Sequence, residues 1–99
     1  MALMEISIVP VGLGTPSMGD YLAEIEAFLR RRQVVHQLTD MGTLIQGPVE
    51  ELLAVARELH ELPFARGVRR VLTHISIDDR RDKEVRLGDK IRSVEARLT

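Results

Sequence analysis

The hydrophobic period of this chain changes in a fixed order along its length: period two, then helical, then period two twice, then helical, period two and helical again. Residues 3–11 place Met4, Ile6 and Ile8 on one side and Glu5, Ser7 and Val9 on the other, which predicts a strand. Residues 12–16 are loop by their Gly and Pro content. Ser17 is the predicted N-cap of a helix, with Asp20 in the capping-box position. Met18, Tyr21, Leu22, Ile25, Phe28 and Leu29 form its apolar stripe. Arg30, Arg31 and Arg32 close it, where positive charge suits the negative end of the helix dipole.

Residues 34–39 and 43–46 read as two strands joined through Asp40-Met41-Gly42, a hairpin. Pro48 suits the first turn of a second helix. Its stripe is Val49, Leu52, Leu53, Ala56, Leu59 and His60, with Val55 at the edge, and Pro63 is expected to end it. Residues 68–78 form the longest predicted strand and residues 79–83 a charged loop. Leu87, Ile91, Val94 and Leu98 recur at helical spacing and predict a C-terminal helix.

The order β-α-β-β-α-β followed by a helix is the ferredoxin-like arrangement, an α+β fold. Right-handed crossovers put both main helices on one face of a four-stranded antiparallel sheet. Ninety-nine residues suit one domain, residues 1–99. The predicted core is Ile6, Ile8, Ile25, Phe28, Leu52, Val71 and Ile75. The opposite sheet face then carries Glu5, Ser7, Val9, Leu72, His74 and Ser76, with no third layer to cover it. That face is free for solvent, a second subunit or a ligand.

The absence of Cys removes disulfides, thiolate zinc sites, iron–sulfur clusters and Cys nucleophiles from consideration. A net charge of −1 and 3% aromatic residues give neither the field nor the stacking surface expected of a nucleic-acid binder. No apolar run is long enough to span a bilayer, and no basic-then-apolar leader opens the chain, so no membrane partner and a cytoplasmic location are expected. Gly12-Leu13-Gly14 lies between a strand and a helix but lacks the third Gly and the parallel context of a dinucleotide loop. No nucleophile–base pair or metal set can be assembled from the sequence. The expectation is a non-enzymatic binding protein without a cofactor.

The polar groups assigned to the open face or its rim are Glu5, Ser7, Gln37, Thr43 and His74, and these are the candidate ligand-binding residues. Asp78, Asp79, Arg80, Arg81, Asp82 and Lys83 form the densest charge run. Two readings stand for it. One is a solvated loop of local ion pairs. The other is a subunit contact made by Asp78, Arg80, Arg81, Asp82 and Lys83 as the chain leaves its last strand.

Several segments resemble one family in register over nearly the whole chain. They are Ile8-Val9-Pro10-Val11-Gly12, SMGDYLAEIEAF at residues 17–28, QLTDMGT at 37–43, Gly67-Val68-Arg69-Arg70-Val71, ISIDDRRDK at 75–83 and Lys90-Ile91-Arg92-Ser93-Val94. The resemblance is to the small thiamine-binding proteins long grouped as an uncharacterised family. It implies a ferredoxin-like fold, a homotetramer built as a pair of dimers, and binding of thiamine or its hydroxymethylpyrimidine moiety without catalysis. The chain departs at Asp40, where that family often has Pro. Thiamine carries an aminopyrimidine that needs a donor and an acceptor, and a cationic thiazolium that favours a carboxylate or a soft apolar wall. Storage, delivery or sensing would each fit such a ligand. The alternative function is an oligomeric scaffold or regulatory partner with no small ligand.

Overall fold

A computed structural model describes residues 1–12 and 18–98. The elements run β1 (Ala2–Pro10), α1 (Gly19–Arg31), β2 (Val35–Thr39), β3 (Gly42–Gly47), α2 (Val49–Ala65), β4 (Val71–Asp78) and α3 (Asp89–Leu98). The sheet order is β2-β3-β1-β4, every neighbouring pair antiparallel. This is the expected ferredoxin-like α+β fold.

Register decides which side chains meet the helices. Met4 lies opposite both Ile45 and Ile77, and Ile6 opposite both Thr43 and Ile75. These rows belong to the face covered by α1 and α2. Ala2, Met4, Ile6, Ile8 and Ile45 pack there against Ile25, Phe28, Leu29, Leu52, Val55, Ala56 and Leu59. Gly42 is required where the hairpin meets β1, because a Cβ there would stand 2.9 Å from the Ile6 carbonyl oxygen.

Four expectations are corrected. Pro48 is the N-cap of α2 rather than part of its first turn, with extended backbone at φ −61° and ψ 144°. Pro63 does not end α2 but lies inside its last turn. One missing N–H is tolerated that close to the end, and the ring is fully buried. The helix stops two residues later: Gly67 takes φ +92°, its N–H donates to the Phe64 carbonyl, and Val68 N–H reaches back to that of Pro63. That is a Schellman close, which favours Gly. The last strand starts at Val71, not at residue 68. Finally, Ile75 faces the helix side but is 45% exposed, because β4 is an edge strand: α2 reaches it through His60, whose Nδ1 is 2.7 Å from Thr73 Oγ1, and an open groove lined by Leu53, Ala56, Arg57 and His60 remains beside Ile75. The Ser17 cap lies outside the described residues, and Met18 is the N-cap of α1 without a side-chain bond.

His36 couples α1 to the edge of the sheet. Its Nδ1–H donates to the Val34 carbonyl at 2.6 Å and its Nε2–H to Glu26 Oε2 at 2.8 Å. A carbonyl and a carboxylate only accept, so the ring carries both protons. Burial opposes that charge, but the Val34 carbonyl and the Glu26 carboxylate outweigh it and raise the His36 pKa. The bond from His36, helped by Arg30 at 2.7 Å, lowers that of Glu26.

Two expectations follow. Leu29→Ala or Ile45→Ala, each at a fully buried position, should cost about 2–5 kcal/mol in urea unfolding; a change below 1 kcal/mol at both, well under that range, would contradict the assigned core. The His36 contribution has a definite sign. A raised folded pKa adds stability that is complete below the ordinary imidazole value of about 6.5 and is lost as pH rises through the folded value. Stability should therefore fall as pH rises above the ordinary imidazole value, and His36→Gln should flatten that slope. An unchanged slope in the variant would remove His36 as its source.

Candidate functional site

On the face away from α1 and α2 the strand register lays side chains in transverse rows. Val35, Gln46, Leu3 and Asp78 form one row across all four strands, and Gln37, Leu44, Glu5 and Ser76 the next. Ser7 and His74 stand opposite each other one step further on. Apolar and polar groups thus alternate along and across this face, and Glu5 sits on an inner strand between Leu44 and Ser76.

The chain returns over one end of this face after β4. Leu87 N–H donates to Gln46 Oε1 at 2.9 Å, pinning the returning segment to β3. Arg86 N–H donates to Asp89 Oδ2 at 2.8 Å. Arg92 bonds Asp89 and reaches the Leu87 carbonyl at 3.3 Å, which fixes the start of α3. Between this segment and the sheet lies a cleft of about 370 Å³. Its floor includes Leu3, Glu5, Leu44, Ser76 and Asp78, and its walls Val85, Leu87 and Ile91, with Arg86 and Lys90 at the rim. Lys90 Nζ stands 3.9 Å from Asp78 Oδ2, both side chains largely exposed, so this pair is weak and easily displaced. Glu5 makes no ion pair among the described residues. Two carboxylates and a hydroxyl facing aliphatic walls suit a small cation with a flat polar ring. The volume lies within the roughly 300–1,000 Å³ range of small-molecule sites.

The predicted residues divide between places. Glu5 lines the cleft. Ser7 and His74 share its face one row beyond, and Gln37 lies across Leu44 on edge strand β2. Thr43 is not on this face. It points to the helix side, is 4% exposed, and lines a separate cavity of about 230 Å³ with Met18, Leu22, Leu38 and Met41. The Asp40-Met41 turn pairs Thr39 with Gly42, and a two-strand register fixed there turns Thr43 inward. The turn is tied by Thr39 Oγ1, which donates to the Gly42 carbonyl at 2.7 Å and accepts from Met41 N–H at 3.2 Å.

The charge run after β4 pairs with itself. Arg80 grips Asp82 at 2.6 and 2.9 Å, and Arg81 grips Asp79 at 3.1 and 2.8 Å. These bonds hold Asp79 and Asp82 below the usual carboxylate range. Asp78 differs, since it lines the cleft. The segment 85–91 as a cleft wall was missed in the sequence. Its signals were Gly88 ahead of Asp89 and an apolar stripe beginning at Leu87, two residues before the helix. No group of three or more His, Asp or Glu side chains among the described residues is arranged to hold a metal ion, and no described helix is long and apolar enough to cross a membrane.

The fold and face define a ferredoxin-like α+β domain whose uncovered sheet side carries a small polar-floored cleft. The chain belongs to the thiamine-binding protein family, whose model matches residues 4–95. It is 44% identical to the UPF0045 protein YqgV of Bacillus subtilis, over 99% of this chain and 98% of that one. Among solved structures, the hypothetical protein MJ1052 of Methanocaldococcus jannaschii superposes with a TM-score of 0.83 at 28% identity, covering 95% of each chain. A Thermotoga maritima protein provisionally assigned to thiamine biosynthesis or salvage superposes at 0.77 with 14% identity, covering 94% of this chain and 97% of that one, a likeness of fold alone.

Proposed function

We propose that this protein binds thiamine or its hydroxymethylpyrimidine moiety in the open-face cleft and releases it unchanged, serving storage, delivery or sensing in the cytoplasm. The observation that carries the reading is the pairing of Glu5 and Asp78 with aliphatic walls in one cleft, in a chain of the thiamine-binding family. The thiazolium cation lies near the carboxylates, where partial withdrawal from water strengthens the attraction. The thiazolium displaces Lys90 from Asp78. The aminopyrimidine meets Ser76 and the neighbouring polar row, and Leu3, Leu44 and Leu87 exclude water around it. The non-enzymatic reading rests on this ligand set, in which no group is paired as nucleophile and base.

Titration calorimetry tests the site. Thiamine should bind saturably and be recovered unaltered by chromatography. Glu5→Gln and Asp78→Asn should each weaken it about tenfold, the usual worth of one charge-assisted contact. Unchanged affinity in both folded variants would move the ligand to the cavity around Thr43, and recovery of an altered product would overturn the non-enzymatic reading.

The protein works as a homo-oligomer, a tetramer by its resemblance. Ile91 and Val94 on α3 are 57% and 56% exposed, and Val35 and Leu72 on the open face are half exposed. Aliphatic area of this kind on so small a domain gains by burial against another copy. The Asp78, Arg80, Arg81, Asp82 and Lys83 run borders the same side and lies at the edge of that contact. Sedimentation equilibrium at micromolar concentration should give about four chains of 11.2 kDa. A mass of one chain would reject the assembly.

A further inference from the structure

We infer a second, anion-binding site at the other end of the sheet, built to hold the phosphate or diphosphate group of a small molecule. A cavity of about 530 Å³ lies where β1 ends, beside α1 and beneath the connection from α2 to β4. Among the described residues its lining holds three arginines, Arg66, Arg69 and Arg70, and no carboxylate. Elsewhere several arginines pair with nearby acids, Arg30 with Glu26, Arg32 with Glu58, Arg80 with Asp82 and Arg81 with Asp79, while Arg31, Arg57 and Arg86 make no ion pair among the described residues and stand apart from one another in the sequence. Here only Arg66 is engaged. It stands 3.3 Å from Glu24 and stacks over the Tyr21 ring at 5.1 Å, which fixes the orientation of its guanidinium. Arg69 and Arg70 make no ion pair among the described residues, and both are exposed.

Two free guanidiniums beside one already oriented are the donor set that phosphate oxygens accept bidentately. The backbone that carries them is anchored. Val11 N–H donates to the Arg70 carbonyl at 2.9 Å, extending the β1–β4 pairing past Pro10 and Val71, and the Schellman close at Gly67 fixes the turn between Arg66 and Arg69. The cavity thus has cations on rigid supports, and of its described lining residues only Arg66 has a counter-ion, Glu24.

This site is distinct from the Glu5 cleft. The two lie at opposite ends of β1, and Leu3 and Val11 are about 26 Å apart at the usual strand rise. One thiamine-sized molecule does not span them, so the inference does not depend on what the cleft binds.

The test uses the full chain with inorganic pyrophosphate and, separately, adenosine 5′-diphosphate, titrated calorimetrically against a chloride background of equal ionic strength. Saturable binding of either supports the site, and the tighter of the two says whether the free anion or an organic ester is the better ligand. The Arg69→Gln, Arg70→Gln double variant should weaken binding about tenfold or more. Arg81→Gln, which removes an exposed charge elsewhere, should leave it intact. Glu5→Gln should also leave it intact, so failure of the thiamine reading and failure of this one are separable. No saturable binding beyond chloride, equal weakening by Arg81→Gln, or displacement of pyrophosphate by thiamine would each overturn the proposal.

Discussion

The structure depends on a sheet that is covered on one side only. Both crossovers lie on the same face of β1, so Ala2, Met4, Ile6 and Ile8 enter a core sealed by Leu29, Leu52 and Leu59. The residues between them, Leu3, Glu5, Ser7 and Val9, are left on a surface that the two long helices cannot reach. Antiparallel sheets tolerate this arrangement because polar and apolar residues alternate across the two faces. What remains uncovered is where a ligand or a second copy can be accommodated without disturbing the core.

The core was legible in the sequence where a strand is central and both neighbours are fixed. The alternation from Met4 to Ile8 gave the correct buried face, and helical spacing found Ile25, Phe28 and Leu52. Ile75 has the same period on its own strand, yet it is half exposed. Periodicity states which way a side chain points, not whether anything lies above it. Thr43 shows a different limit. Its face depends on which residues the hairpin pairs, and a shift of one residue inverts every side chain of the strand. The chain around Asp40 and Met41 does not reveal that register without the Thr39–Gly42 pairing.

The cleft was half legible for a related reason. Glu5 could be placed on the open face from local alternation. The opposing wall comes from residues 85–91, some eighty positions later in the chain, and is pinned by the long-range bond from Leu87 to Gln46. No periodic signal encodes such a return. Apolar spacing gave the helix at Ile91 and Val94 correctly but not its position over Leu3 and Leu44. The charged loop between them is fastened to itself through exposed pairs that add little stability. Those pairs leave Asp78 free to face inward.

Charge is therefore sorted along β1 despite a net charge of only −1. At the end marked by Leu3 the open face carries Glu5 and Asp78 on its floor, with Arg86 and Lys90 at the rim. At the end marked by Val11 the surface carries Arg66, which pairs with Glu24, and Arg69 and Arg70, which make no ion pair among the described residues. Exposed charges further apart than about 8 Å are screened from one another at physiological ionic strength, so neither group neutralises the other across the length of the strand. Each end sets its own local potential. A nearly neutral chain can in this way offer a carboxylate floor to a cation at one end and an arginine-lined cavity to an anion at the other, with the shared strand fixing the distance between them.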